Sequence, residues 1–261
     1  MTALKYKIDN EEQIIYKPFV SIITATYNTE RSLGKTIESL RNQNFKDFEW
    51  IVIDGGSNDL TLEIIKENSD IVANWISEPD SGIYDAWNKG LGLARGEWIA
   101  FLGAGDCYFP EALQIYVNVI HTGDSESELI TSKIQLVDDK GKSLREVGSE
   151  FDFERHKKVM TIAHVGAFHK KSLFEKFGKF NLAYSSAGDY EYLMRCGANL
   201  RTSHINSVTA SMLVGGASGT YGAILEAYRI QKDYGSPILI AIVRACIALV
   251  KNNLRPYIRG Y

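Results

Sequence analysis

Asp106 lies in FLGAGDCYFP (101–110), where an apolar run ends in two glycines around an alanine and brings one carboxylate into a nearly bare turn. Three chemistries suit a carboxylate there: turn formation, ligation of a metal ion, or capping of a helix that begins near Pro110. Spacing counts against the cap, because Asp106 precedes that start by several residues. Three further stretches are rich in small and polar residues: TATYN (24–28), DGGSND (54–59) and SEPDSG (77–82). Later, SSAGDYEYLMR (185–195) sets Asp189 and Glu191 at the start of a helical pattern, where an N-cap and an acidic first turn are expected.

The elements between these turns decide whether they meet. Phe19–Ala25 is a compact β-branched run suited to a strand buried on both faces. Leu33, Ile37 and Leu40 then fall at helical spacing, with Asn28 or Thr29 placed to cap that helix. WIVI (50–53), residues 71–76 and residues 98–102 read as further strands, and helical patterns resume at 60–65 and 84–94. Such alternation predicts βαβ units, an α/β fold with a mostly parallel sheet. Ligands of open parallel sheets bind beyond the carboxyl ends of the strands, and all four turns sit there. After Pro110 the pattern changes to a helix, then a hairpin over 129–137 and 144–147. Short helices at 171–177 and 190–196, strands within 200–214 and helix from Tyr221 onward follow.

At 261 residues, 45% hydrophobic and 23% charged, the chain has the composition of a globular protein. A net charge of −3 and no basic arm argue against a nucleic-acid partner. Cys107, Cys196 and Cys246 lack the paired spacing of a zinc knuckle or a disulfide framework, which points to a reducing, cytoplasmic setting. The N-terminus has no apolar signal core, and no apolar run reaches the ~20 residues that span a bilayer.

VSIITATYNTERSLGKTIESLRNQNFKDFEWIVIDGGSNDLT (20–61), SEPDSGIYDAWNKGLGLARGEWIAFLGAGD (77–106) and AGDYEYLMR (187–195) together resemble the family 2 glycosyltransferases, inverting enzymes of GT-A fold. The resemblance covers roughly residues 18–215 and is strongest to transferases of bacterial exopolysaccharide, capsule and O-antigen assembly. It implies an N-terminal extension (1–17), a GT-A domain (18–215) and a C-terminal helical appendage (216–261). Residues 18–106 would bind the nucleotide and 107–215 the acceptor. By the same resemblance Tyr27 stacks on the donor base, Thr26 lines its pocket, and Asp54 accepts from base or ribose. Asp80 and Lys89 flank the nucleotide and diphosphate, while Asn28, Gly55, Ala104 and Gly105 complete the donor set. Asp106 is the implied ligand of Mn2+ or Mg2+, and His164 is a further metal-side candidate. Asp189 is the implied base, with Glu191 the fallback.

Each residue also has a structural reading: packing for Tyr27, turns for Asp54 and Asp80, a solvated charge for Lys89, and a core position for His164 and His169. Gly105 stands where many relatives carry the first aspartate of an adjacent pair, so the metal would be held by one carboxylate plus substrate phosphates. The expected reaction is transfer from a nucleotide-diphosphate sugar, with uridine as the expected base, to a hydroxyl of a glycan or lipid-linked acceptor. The alternative is a non-catalytic nucleotide-sugar binder. A phosphate-loop enzyme is disfavoured, since no GxxxxGK[ST] pattern occurs. Basic residues follow the apolar run of residues 238–250, suiting either peripheral membrane contact through 237–261 or packing on the domain or another subunit.

Overall fold

The computed structural model describes residues 2–8, 11–122, 126–215 and 220–235. Two strands, β1 (Thr2–Ile8) and β2 (Glu11–Lys17), form an antiparallel hairpin of their own, where the sequence analysis had placed no element. The apolar run of 238–250, and most of the glycine-rich stretch before Tyr221, lie outside the described residues. Among the described residues no helix is long and apolar enough to cross a membrane.

The first half alternates as expected: β3 (Val20–Thr26), α1 (Leu33–Arg41), β4 (Phe48–Asp54), α2 (Thr61–Glu67), β5 (Val72–Ser77), α3 (Ile83–Leu93) and β6 (Trp98–Phe101). The four strands pair in parallel in the order β5-β4-β3-β6. Period-two alternation explains why both faces are covered. Ile22, Trp50 and Val52 pack with Leu33, Ile37 and Leu40 of α1, while Ile23, Ile51 and Ile53 pack with Tyr84, Trp87 and Leu91 of α3.

The second half adds β7 (Cys107–Tyr108), α4 (Ala112–Thr122), β8 (Leu129–Val137), β9 (Ser143–Val147), α5 (Phe153–His156) and a 3₁₀ turn at His164–Gly166. Next come β10 (Ala167–Lys170), α6 (Lys171–Phe177), α7 (Gly188–Cys196), β11 (Thr202–Leu213) and α8 (Tyr221–Asp233). The sheet continues β6-β10-β8-β11-β7, and the expected hairpin appears as β9 paired antiparallel with β8. β10 runs antiparallel to both neighbours and joins the two halves. Four residues between a 3₁₀ turn and a helix are too few to show alternation, and for that reason the sequence does not mark β10. Residues 202–213 form one long strand with register shifts near Ile205 and Val208, instead of several strands.

The helix cap expected at Asn28 or Thr29 is not formed. The N-cap of α1 is Ser32, without a side-chain bond, because residues 29–33 make a turn in which Leu33 N–H donates to Thr29 O. The Asn28 side chain is used elsewhere.

Packing of α3 on β3 is close at Gly90, where a Cβ would stand 2.5 Å from Ile23 Cγ2. Alanine gains up to ~1 kcal/mol in helix propensity over glycine. Overpacking a filled interface costs ~1–3 kcal/mol. The clash wins, so Gly90→Ala should lower the unfolding free energy by about 1 kcal/mol in urea melts. Gly92→Ala, whose nearest neighbour is Lys179 Nζ at 3.9 Å, should leave it unchanged or raise it by less than ~1 kcal/mol.

Candidate active site

Parallel register sets Thr26, Asp54 and Ser77 side by side at the ends of β3, β4 and β5. Asp54 is fully buried. Its Oδ1 accepts from Thr26 Oγ1 at 3.0 Å and from Ser57 Oγ. Its Oδ2 accepts from Gly56 N at 3.1 Å, Ser57 N at 2.9 Å and Ser77 Oγ at 2.8 Å. Burial pushes this carboxyl up, but the hydroxyl and backbone donors prevail and hold it below the usual carboxylate range. The turn supplies three of these bonds and the ends of β3 and β5 the other two, so Asp54 joins three strand ends.

The first two turns are stitched together. Asn28, at φ 52°, donates its N–H to Ser57 Oγ at 2.8 Å, and its Oδ1 accepts from Asn58 N at 3.0 Å. Glu30 N–H donates to Asp59 Oδ2, and Glu30 Oε2 accepts from Leu60 N. Tyr27 projects from this braced platform with 64% of its surface exposed, as a ring free to meet a ligand. In the third turn, Asp80 Oδ1 accepts from Gly82 N at 2.8 Å. Its Oδ2 lies over Gly55, 2.7 Å from where a Cβ would be, so only glycine fits at 55 without displacing Asp80. Lys89 clamps the same turn through Pro79 O at 3.0 Å and Glu78 Oε1 at 2.8 Å. Its hydrogen bond to Glu78 holds the ammonium above its ordinary range.

In the fourth turn Gly105 adopts φ 105°, a conformation that favours glycine. Gly105 N–H donates to Thr36 Oγ1 at 2.8 Å, and that hydroxyl donates to Asp106 O at 2.9 Å, so α1 fixes the turn. Ala104 and Asp106 form an isolated bridge. Asp106 is 9% exposed. Its Oδ1 accepts from Leu213 N at 3.0 Å, while Oδ2 lies over Gly103, 2.6 Å from where a Cβ would be. Burial pushes this carboxyl up to about 7, only partly opposed by the backbone N–H groups of Leu213 and Gly103. A carboxylate so poorly compensated is a fit partner for a divalent cation. It is also alone: among the described residues no three His, Cys, Asp or Glu side chains are grouped to hold a metal.

His164 does not supply a second ligand by any contact seen. It stacks on Trp87 at 5.0 Å and Phe101 at 5.2 Å, and neither ring nitrogen has a hydrogen-bond partner. Burial pushes it down to about 3, leaving a neutral ring in the aromatic core. His169 lies beside it, 5.1 Å away.

Asp189 stands in the first turn of α7, half-buried. Its Oδ1 accepts from Tyr84 Oη at 3.0 Å and from Tyr190 N at 2.9 Å. Burial raises this carboxyl above its ordinary value, and the two donors oppose the rise. Gly188 makes the Tyr84 contact feasible, since a Cβ there would come within 2.9 Å of the Tyr84 ring. Glu191 is committed elsewhere. Arg195 binds both its oxygens at 3.2 and 3.0 Å, and Tyr234 Oη adds a bond at 2.9 Å. Asp189, without an ion pair to a cation among the described residues, is therefore the less committed of the two carboxylates. Sequence reasoning missed Tyr84, Thr36 and Glu226. Tyr84 sits inside a quoted motif, but no spacing rule links it to a residue 105 positions away.

Residues 21–178 match the family model described as Glycosyl transferase family 2. A PGL/p-HBAD biosynthesis glycosyltransferase of Mycobacterium bovis is 32% identical over 240 residues, 87% of this chain and 90% of that protein. An uncharacterised glycosyltransferase of Methanocaldococcus jannaschii is 32% identical over 193 residues, covering 70% of this chain and 66% of its own. Among solved structures, S. aureus TarS 1–349 in complex with UDP-GlcNAc superposes with TM-score 0.66 at 22% identity, over 81% of this chain and 64% of that one. The mannosyltransferase PcManGT from Pyrobaculum calidifontis, in complex with GDP-Man and Mn2+, gives 0.64 at 17% identity, over 94% and 77%. The mixed sheet with helices on both faces is the GT-A arrangement of these neighbours. An edge that gathers four polar turns beneath an exposed tyrosine, with two under-compensated carboxylates, thus lies in a chain that belongs to the family 2 glycosyltransferases.

Proposed function

We propose that the protein moves a sugar, with inversion, from a nucleotide-diphosphate donor to a hydroxyl of a glycan or lipid-linked acceptor in bacterial surface-polysaccharide synthesis. The observation that carries this reading is Asp189: a half-buried carboxylate with one oxygen anchored by Tyr84 and Tyr190 and its proton affinity raised by burial. The UDP, UDP-GlcNAc and GDP-Man complexes of the structural neighbours support the donor class, with uridine the expected base. The basic residues that follow the apolar run of 238–250 support presentation of the acceptor at a membrane surface.

Tyr27 stacks on the base, with Thr26 and Asn28 bracing its platform. Asp80 and Lys89 hold the turn that flanks the diphosphate, and Gly55, Ala104 and Gly105 keep the backbone low enough for the donor to approach. A divalent cation held by Asp106 and the donor's own phosphates would supply positive charge for the departing diphosphate. Asp189 takes the proton from the acceptor hydroxyl as its oxygen forms the new bond to C1. The electron pair of the broken C1–O bond leaves with the nucleotide diphosphate. One displacement inverts the anomeric centre, and no covalent enzyme intermediate is needed. The elevated affinity of Asp189 for protons suits a base better than an ordinary surface aspartate would.

A thermal-shift panel of nucleotide sugars with and without manganese identifies the donor, since ligands that bind the native state raise apparent stability. Asp189→Asn should leave that shift intact while turnover of the chosen donor falls ~10²–10⁴-fold. Near-normal transfer by the variant would refute the base assignment. A wild-type protein that binds but turns over no donor with any acceptor would favour the non-catalytic reading.

Asp106→Asn should abolish the manganese-dependent part of the shift. It should also change stability in a pH-dependent way. A carboxyl whose folded value is raised stabilises the fold fully below its unfolded value, and that contribution disappears as pH rises through the folded one. The wild-type protein should therefore lose stability relative to Asp106→Asn between pH ~4 and about 7, by more than ~1 kcal/mol, in metal-free urea melts at pH 5 and pH 8. Equal pH dependence in the two proteins would show that Asp106 is not a poorly compensated acid.

A further inference from the structure

Glu226 projects from α8 onto the chain that leads into Asp189. Its Oε1 accepts from Ser185 N at 2.7 Å and Ser185 Oγ at 2.8 Å. Its Oε2 accepts from Ser186 N at 2.8 Å and Ala187 N at 2.9 Å. Three successive N–H groups converging on one anion form a backbone nest. The helix α7, which carries Asp189 in its first turn, has no side-chain cap of its own at Ala187. The residues just ahead of that turn are instead gripped from a separate helix, 39 to 41 positions along the chain.

Other contacts hold α8 in place. Tyr234 Oη donates to Glu191, Gln231 Nε2 donates to Lys158 O at 3.0 Å, and the Arg229 guanidinium lies 5.2 Å over the Tyr184 ring. Burial raises the Glu226 carboxyl, but the Ser185–Ala187 donors outweigh it and keep it below the usual range, hence ionised. An ionised nest ligand is a strong tether.

We infer that Glu226 is a positioning residue for sugar transfer: it clamps Ser185–Ala187 and thereby fixes the Asp189 carboxylate against Tyr84. This rests on the reading of Asp189 as base. The groups that face Asp189 are Tyr84 from α3 and Glu226 from α8. Around Tyr184 and Glu226 lie Arg229 and Asp233 of α8 and Glu191 of α7. The Glu226 charge disfavours an ionised Asp189, whereas the Tyr84 hydroxyl favours it. Removing the two should move Asp189 in opposite directions.

Glu226→Gln keeps the side-chain shape, removes the charge and turns an amide donor toward backbone N–H groups. The carboxyl of Asp189 can be followed by 13C NMR, its signal identified by its loss in Asp189→Asn. In Glu226→Gln its titration midpoint should fall, and in Tyr84→Phe it should rise. Misplacing a catalytic group by about 1 Å costs on the order of 10²-fold. Turnover of the donor chosen by the panel, read as nucleotide released, should accordingly drop ~10- to 100-fold in Glu226→Gln with donor KM unchanged. Wild-type kcat or a matching rise in donor KM would overturn the inference. Should Glu226→Gln fail to fold, the exposed Ser185→Ala removes one of the four bonds and should lower kcat at constant KM; unchanged kcat there overturns it equally. Full turnover by Asp189→Asn would instead remove the base reading, whatever the Glu226 variants do.

Discussion

A carboxylate buried without partners would cost several kcal/mol or give up its charge. Asp54 keeps its charge because the parallel register of β3, β4 and β5 delivers Thr26 and Ser77 to either side of it, and the DGGS turn adds three donors. A slip of one residue in either pairing would move those hydroxyls to the opposite face of the sheet. The same contact orders what lies above it. Ser57, bound to Asp54, also accepts from Asn28 N–H, so the platform beneath Tyr27 inherits its position from the buried carboxylate. Gly55 N–H donates to Thr26 O, and above Gly55 sits Asp80.

Three aspartates at this edge differ in how well they are compensated, and that difference sorts their chemistry. Asp54 accepts five hydrogen bonds and stays ionised below the usual range. Asp189 accepts two on one oxygen and is raised. Asp106 has only the backbone N–H groups of Leu213 and Gly103 to oppose its burial, and it is pushed up to about 7. A group already saturated by the fold has little affinity left for a proton or a cation. Those left wanting keep more of both, and they are the two to which the proposed mechanism gives a proton and a metal ion. Gly105 fits this account, since an acid in its place would put a second negative charge beside an already desolvated one.

The α/β class and the four edge turns are legible in the sequence because β3, β4 and β6 are apolar on both faces and turn residues follow each of them directly. The roles of Asp54 and Lys89 are not legible. A carboxylate before Gly-Gly looks the same whether its donors come from its own turn or from a ligand, and only the register with β3 and β5 decides. His164 is misleading for a similar reason: its ring meets Trp87 and Phe101 from elements 60 or more residues away. The strand β10 escapes notice because four residues carry no periodicity, yet it welds the two halves of the sheet together.

The helix α3 links the SEPDSG turn to Asp189. Its N-terminus follows the SEPDSG turn that holds Asp80, and Lys89 on the same helix reaches back to Pro79 and Glu78. At that end, in the first turn of the helix, Tyr84 reaches Asp189. The close approach of Gly90 to Ile23 leaves little room between α3 and β3, so one tightly packed helix carries both Lys89 and the Tyr84 hydroxyl that meets Asp189. The opposite support of Asp189 comes from α8, beyond the residues matched by the family model. Asp189 is therefore held between an element inside the matched region and one outside it.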